Sequence, residues 1–364
     1  MLQTISPTRH SFATMLQELV DVAGPPGNEK AVREVMKKWA EPWSDEIITD
    51  RLGGLIARKG LSGPKVMLAA HLDEIGFMVT NITEDGYLRF QTLGGWWSQV
   101  LPAQRVEVHT RKGKLLGIIG SKPPHLMPNE DRKKGINIED LFIDLGLESR
   151  EEAVELGIRP GDFVIPYSPY TQLSNPHRVV GKAMDNRIGC AVVTEVLYRL
   201  SQGVRHPNQV FAVGTVMEEV GRRGAKTATA VVRPDVAFAI DVGIATDTPK
   251  IGFTPTHLHL GKGPVLALYD AGHIAHQPLL QLAREAAEEE GIPYQYEVVQ
   301  RGGTDASHIH VYGTGVPTLT LGVPSRYIHS HTSVIDQRDV DHLVDWLVAL
   351  TARLDRLTID KLTR

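Results

Sequence analysis

Val66-Met67-Leu68-Ala69-Ala70-His71-Leu72-Asp73 is an apolar run that ends by delivering a histidine and an aspartate. Strands buried on both faces of a parallel sheet read as continuous Val/Ile/Leu-rich runs of this kind. Three more segments share the pattern. Val210 to Met217 runs into Glu218 and Glu219, Val236 to Ile240 runs into Asp241, and Val316 to Val323 is followed closely by His329. In open, mostly parallel sheets, ligands bind outside the carboxyl ends of the strands. The four segments therefore predict one rim on which carboxylates and imidazoles converge. Groups of that charge repel one another unless a cation neutralises them.

The pattern around these strands fixes the fold class. From Lys182 onward, helix and strand alternate: a helix from Ile188 to Leu200, a strand from Val210 to Met217, a helix starting at Gly224, and a strand at Val236 to Ile240. Pro278 to Glu290 reads as a helix closed by Gly291. Tyr294 to Val299 and Pro317 to Leu321 read as strands, and Asp336 caps a final helix to about Leu357. Upstream, Ser11 to Val22 has helical spacing and stops at Gly24-Pro25-Pro26-Gly27, and Asn28 suits the N-cap of a second helix to about Ala40. Short strands flank the Gly53-Gly54 turn. Strand–helix alternation argues an α/β fold: a mostly parallel mixed sheet with helices on both faces.

The texture changes near Ile75. Phe77 to Ile82, Tyr87 to Gln91, Arg105 to Thr110, Leu115 to Ile119 and Phe163 to Pro166 are short β-type runs, with Asp85-Gly86 and Lys112-Gly113 as hairpin turns. This predicts an inserted small all-β barrel over 75–170, splitting a catalytic domain of 1–74 and 171–364. The Pro-rich, charged segment Ser121 to Gly135 reads as a mobile loop.

Composition bounds the rest. The 364 residues are 42% hydrophobic and 23% charged, with a net charge of −4. That is an ordinary globular balance, with no basic footprint for nucleic acid and no argument for anionic membranes. No run approaches the ~20 apolar residues that span a bilayer. The amino terminus carries no basic region followed by an apolar stretch, so a cytoplasmic location is expected. Cys190 is the only cysteine. It excludes an internal disulfide and a cysteine-based zinc knuckle, and it is expected to pack inside a helix.

Each candidate site residue also has an ordinary reading. In extended backbone His71 and Asp73 share a side, so His71 can ligate a metal while Asp73 accepts its other ring N–H; a plain strand end would look the same. Asp185-Asn186-Arg187 opens a helix, where a carboxylate also serves as an N-cap. Glu218-Glu219 is the sharpest pair. Adjacent side chains diverge, so one can bind a metal while the other faces substrate as a general base. Gly221 and Gly224 beyond them allow close backbone approach. Asp241 is a ligand or a turn residue. In Tyr327-Ile328-His329-Ser330-His331 either histidine fits as a ligand. Gly302-Gly303-Thr304-Asp305 reads as a tight turn that lines a pocket or merely reverses the chain, with His308 and His310 beyond it. Two histidines and three carboxylates form a nitrogen/oxygen set suited to zinc, cobalt or manganese, and one bridging carboxylate would make it a two-metal hydrolase site.

The chain as a whole resembles the M42 metallo-aminopeptidases, a family that includes glutamyl and leucyl aminopeptidases and the tetrahedral TET peptidases. The resemblance runs from about Leu16 to the last helix. It rests on Thr49-Asp50-Arg51-Leu52-Gly53, Ala70-His71-Leu72-Asp73-Glu74-Ile75-Gly76, Gly94-Gly95-Trp96 and Gly117-Ile118-Ile119-Gly120-Ser121-Lys122-Pro123-Pro124-His125. Ile138 to Asp144, Gly181 to Arg187, Glu218-Glu219-Val220-Gly221, Gly302 to Ala306 and Ile328-His329-Ser330 continue it. The resemblance implies two divalent metal ions per subunit, zinc or cobalt with manganese as an alternative, bridged by Asp185. His71 and Asp241 would complete one ion, Glu219 and His329 the other, so it favours His329 over His331. It implies Glu218 as general base and Asp73 as the residue orienting His71. It also implies peptide substrates, a dimerisation role for the barrel, and self-association as a dimer and a tetrahedral dodecamer. Rival readings are a glycosidase, whose paired acids would leave the histidines without roles, and a deacylase or carboxypeptidase built on the same two-metal centre. A non-catalytic metal-binding protein would not need Glu218. An aliphatic first residue is the default preference, since Arg222, Arg223 and Arg301 read as ordinary arginines rather than as a basic pocket.

Overall fold

The strand Lys65–His71 runs through the middle of a 12-stranded mixed sheet, parallel to Gln209–Thr215 on one side and to Val236–Ile244 on the other. Val236–Ile244 pairs in turn with Thr318–Arg326, again in parallel. Antiparallel strands flank this block: Leu55–Lys59 on the outer side of Gln209–Thr215, and Ser333–Asp336 beside Thr318–Arg326. The computed structural model describes residues 9–128, 130 and 134–363. Among them no helix is long and apolar enough to cross a membrane.

Both faces of the central strands are covered, which is why their sequence shows no alternation. Val66, Leu68 and Ala70 pack with Ile188, Val192 and Val196 of the helix Met184–Ser201. Met67 and Ala69 face the opposite way, onto Ala225, Ala228 and Val232 of the helix Arg223–Val232. Each large aliphatic side chain buried in this way contributes about 1.5–3 kcal/mol. Cys190 lies in the first of these helices, fully buried, with its thiol donating to the His71 carbonyl at 3.1 Å. Burial pushes its pKa up to about 12, the reverse of the lowered value a thiolate nucleophile needs.

Between Gly76 and Pro166 the chain leaves the sheet and forms a closed six-stranded barrel in the order Gly76–Ile82, Leu88–Leu93, Phe142–Asp144, Gly113–Gly120, Arg105–Thr110, Phe163–Pro166. Its own core is built on Phe77, Val79, Leu88, Val106, Val108 and Ile143. The architecture is therefore the expected α/β sheet with an all-β insertion. The strand Phe142–Asp144 and the helix Arg150–Glu155 inside the insertion were not anticipated. Of the segment expected to be a mobile loop, Pro124–Leu126 forms a 3-10 turn and residues 129 and 131–133 lie outside those described.

Four local expectations are corrected. The second helix is Lys30–Ala40 with Glu29, not Asn28, at its N-cap, and the Glu29 side chain does not cap it. The Val210 strand ends at Thr215 rather than Met217, because Met217 turns into the left-handed region at φ 54°. The Val236 strand runs on to Ile244, so Asp241 sits inside it rather than beyond its end. Finally, the last helix divides into Gln337–Arg353 and Arg356–Leu362, since Asp355 caps a new start by accepting the Thr358 N–H at 2.7 Å.

Candidate metal centre

The rim of the sheet assembles two groups of ligand atoms around one carboxylate. His71, Asp185 and Asp241 form one and Asp185, Glu219 and His329 the other, each with its potential ligand atoms within 4.8 Å of one another. The two carboxylate oxygens of Asp185 serve opposite sides. Oδ1 lies 3.1 Å from His71 Nε2, and Oδ2 lies 3.5 Å from His329 Nε2. Glu219 Oε2 approaches His329 Nε2 at 3.7 Å, and Asp241 Oδ1 approaches His71 Nε2 at 3.9 Å.

Local backbone explains how these side chains are presented. His71 ends a central strand opposite Thr215. Asp185 and Asn186 are not helical, although they stand at the head of the long helix, and the peptide between them is cis. The helix is capped instead by Asn186, whose Oδ1 accepts the Gly189 N–H at 3.1 Å while its Nδ2 donates to the Ile240 carbonyl at 2.7 Å. The Asp185 carboxylate is thus free of capping duty. Asp241 projects where Val236–Ile244 outruns its pairing with Lys65–His71, which ends at Ala239.

Both histidines have one nitrogen tied to a backbone carbonyl. His71 Nδ1 donates to Asp73 O at 3.0 Å, and His329 Nδ1 donates to Gly95 O at 2.7 Å. This fixes each ring with Nε2 aimed into the site, where the neutral ring offers its lone pair to a metal, the usual support of an imidazole ligand. The expected role of Asp73 changes accordingly. Its carbonyl, not its carboxylate, holds His71; the carboxylate stands 3.7 Å from the ring. Asp73 Oδ1 and Oδ2 instead accept the N–H groups of Glu218 and Glu219, each at 3.0 Å.

Electrostatics single out the same residues. Burial, with Asp305, Asp241 and Glu219 nearby, pushes Glu218 well above the usual carboxylate range. Burial and Asp185 do the same to Glu219, and they raise Asp241 to about 8. For His71, burial favours the neutral ring, but its hydrogen bond to Asp185 and the surrounding carboxylates win, and its pKa rises. Burial also opposes ionisation of Asp185, yet the two histidines hold its pKa down. Glu219 Oε1 is buried without a hydrogen-bond partner. Carboxylates this crowded and this dry suit a multiply charged cation, and the oxygen/nitrogen donor set fits divalent zinc, cobalt or manganese.

A cleft of about 370 Å³ opens beside these groups. Val242, Ile244 and Ala267 give it apolar walls, Asp270 and Glu297 add buried acids, and Arg301 lines it as an exposed base. Gly302, Gly303 and Thr304 also line it, so the turn does face the pocket. Asp305 turns away and accepts the Thr215 hydroxyl at 2.5 Å. His308 and His310 stay outside both ligand groups, as does His331, which is buried edge-on against Trp96. Gly224 packs behind the site rather than in it, since a Cβ there would meet the Val216 backbone at 2.4 Å.

Several participants escaped sequence reasoning. Asp270 ends the strand Val265–Asp270, whose apolar run went unread, and Glu297 lies in the strand Gln295–Val298. Glu74, Lys182 and Arg187 form a buried ion cluster behind Asp185, with Lys182 Nζ 2.8 Å and Arg187 Nη2 3.1 Å from Glu74 Oε1. Adjacency to His71 and Asp185 was the available signal for that cluster. The Gly95 carbonyl left none in side-chain chemistry.

Comparison with known proteins agrees with this geometry. Residues 53–346 match the family model for the M42 glutamyl aminopeptidases, and a model described as AMPT matches residues 10–36. The chain is 39% identical to the putative aminopeptidase FrvX of Escherichia coli K12, over 95% of this chain and 96% of that protein. Its fold superposes with a TM-score of 0.96 on a TET aminopeptidase from a marine sediment thaumarchaeon, at 42% identity, covering 98% of this chain and 100% of that one. It also superposes with a TM-score of 0.84 on the Pyrococcus horikoshii TET1 peptidase, which can assemble into a tetrahedron or a large octahedral shell, at 35% identity over 94% of this chain and 100% of that one.

Proposed function

The chain belongs to the M42 glutamyl aminopeptidase family, and from that premise we propose that it is a metal-dependent aminopeptidase which removes the first residue of peptides using two divalent ions. The observation that carries the reading is Asp185, whose two oxygens face the two separate ligand groups. Asp185 would bridge, His71 and Asp241 would hold one ion, and Glu219 and His329 the other. Zinc or cobalt suits the set best, with manganese also compatible. Bound there, such ions supply an acidified water and polarise the scissile carbonyl.

The chain's own groups do the remainder. Glu218, 4.0 Å from His71 Nε2 through its Oε2 and not needed in either ligand group, takes the proton of the attacking water and returns it to the leaving amine. Asp73 fixes the Glu218 and Glu219 amides, so the two side chains diverge, one to the water and one to a metal. Peptide enters through the cleft, where the acidic wall favours a free amino terminus. The barrel would serve dimerisation, with dimers gathering into a tetrahedral dodecamer as TET relatives do.

The test compares Glu218→Gln with wild type on aminoacyl and peptide substrates, measuring metal content alongside. Metal should be retained while kcat falls by roughly 10²–10⁴-fold, the usual share of a general base. Near-normal turnover in Glu218→Gln would refute the base assignment. Cleavage of a glycoside that survives complete chelation would point to a glycosidase, and preference for acetylated over free amino termini would point to a deacylase.

A further inference from the structure

Glu29 is a buried carboxylate with no salt bridge among the described residues, 5% exposed and far in sequence from the site. It stands at the N-cap of Lys30–Ala40 yet makes no capping hydrogen bond. Its Oε1 is spent elsewhere, accepting the N–H of Gly27 at 2.8 Å and, across the fold, the N–H of Met217 at 3.1 Å. Burial pushes its pKa up to about 7, with Asp73 among the neighbours that raise it further. A carboxylate held dry in this way is costly unless hydrogen bonds compensate it, and its compensation comes from the Gly27 and Met217 N–H groups.

Met217 is the residue before Glu218. It bends the chain out of the strand Gln209–Thr215 at φ 54°, a left-handed conformation unusual for a side chain of its kind. Three successive amides are then gripped by two carboxylates: Met217 by Glu29, and Glu218 and Glu219 by Asp73. Behind them the loop closes on itself, with the Arg223 N–H donating to the Met217 carbonyl at 3.1 Å and the Gly224 N–H to the Val216 carbonyl at 2.8 Å. Asp73 holds Glu218 and Glu219 alike. Glu29 acts one residue earlier, at the bend that leads directly into Glu218, while Glu219 lies one residue further on and keeps its own tie to Asp73.

We infer that Glu29 is a positioning residue for the reaction: by accepting the Met217 N–H it holds the left-handed bend that aims Glu218 at the attacking water. This rests on the reading of Glu218 as general base. Glu29 touches neither ligand group, so its loss should misplace the base without emptying the metal site.

The experiment measures kcat, KM and metal content for Glu29→Ala, Glu29→Gln and Glu218→Gln on one peptide substrate at saturating zinc. For Glu29→Ala, kcat should fall by at least about tenfold, with KM within about twofold and metal occupancy unchanged, the pattern of an interaction realised in the transition state. Glu29→Gln keeps an amide oxygen for the Met217 N–H and should recover most of that loss. If Glu29→Ala fails to fold, Glu29→Asp replaces it: the shortened carboxylate cannot reach Met217 and should show the same kcat loss. A full kcat in Glu29→Ala or Glu29→Asp, or a loss that follows metal occupancy, overturns the inference. An active Glu218→Gln would instead overturn the base assignment on which it stands.

Discussion

Replacing Arg187 with methionine tests the scaffold behind the proposed metal centre. Arg187 is fully buried at 0% exposure. Its guanidinium donates to the Leu72 carbonyl at 2.6 Å, to the Val22 carbonyl at 2.9 Å, to the Leu19 carbonyl, and to Glu74 Oε1 at 3.1 Å. It thereby joins the end of the first helix, the His71 strand and the start of the Asp185 helix. Methionine keeps much of the volume but supplies no donor. Glu74 would retain Lys182, so the carboxylate is not stripped of charge compensation, but the Leu72 and Leu19 carbonyls lose their side-chain donor, while Val22 keeps Lys182 and Gly24 keeps the Glu74 N–H. Breaking one member of a buried ion cluster costs about 3–5 kcal/mol, and orphaned buried acceptors cost about 1–3 kcal/mol each. The second figure governs, since Lys182 still compensates Glu74, and for two carbonyls it comes to about 2–6 kcal/mol. At about 1.3 °C per kcal/mol for 364 residues, from an unfolding entropy of about 2.1 cal/mol/K per residue, the melting temperature should drop by roughly 3–8 °C in a fluorimetric scan of the zinc-loaded protein. Arg187→Lys, which keeps the charge without the fork, should fall between. A methionine variant melting within about 2 °C of wild type would show that the cluster does not hold these segments together.

Other consequences follow from the same geometry. Asp185→Ala should lose both bound metal and activity, as read by elemental analysis and turnover; a fully metallated Asp185→Ala protein contradicts the bridge. Gly224→Ala should destabilise by about 1–3 kcal/mol or more, because the new methyl would sit 2.4 Å from the Val216 backbone; an unchanged denaturation midpoint would contradict that packing. Glu195 is buried with Oε1 unpartnered, and burial is the chief reason its pKa rises from 4.5 to about 7. Between those values the folded state binds more protons than the unfolded chain, so this group makes stability fall as pH rises. Glu195→Gln should remove that slope, up to about 3 kcal/mol between pH 4.5 and 7; parallel stability–pH curves for variant and wild type would sink the assignment.

The parts of the fold that the sequence declared are those where one rule acts alone. Lys65–His71 and Val236–Ile244 are covered on both faces, so burial alone dictates their composition. Arg105–Thr110 and Phe163–Pro166 of the barrel match the β-type runs residue for residue. Phe142–Asp144 was missed because three residues carry no period. The second helix was started one residue early because Asn28 is the better cap by chemistry, while tertiary structure had committed Glu29 to Met217. At the site, residue types at strand ends announced which side chains would gather. What stayed hidden is the work of main-chain atoms. Asp73 was expected to hold His71 with its carboxylate and does so with its carbonyl, and backbone acceptors are the same in every residue.

The hydrogen bond from His329 to Gly95 has an architectural corollary. Gly95 follows the strand Leu88–Leu93 of the inserted module, and the neighbouring Trp96 stacks on Phe77 at 4.7 Å within that module's core. A Cβ at Gly95 would stand 3.1 Å from the imidazole it steadies. One half of the proposed ligand shell is therefore aligned by a segment foreign to the sheet that carries the other half. A trimmed enzyme lacking the insertion would keep the seat made by His71 and Asp241 but would leave His329 to swivel, a lopsided centre with one tight berth and one slack. The small module is then less an appendage than a wall of the chamber, and grafting a different one onto this sheet would have to reproduce that single carbonyl.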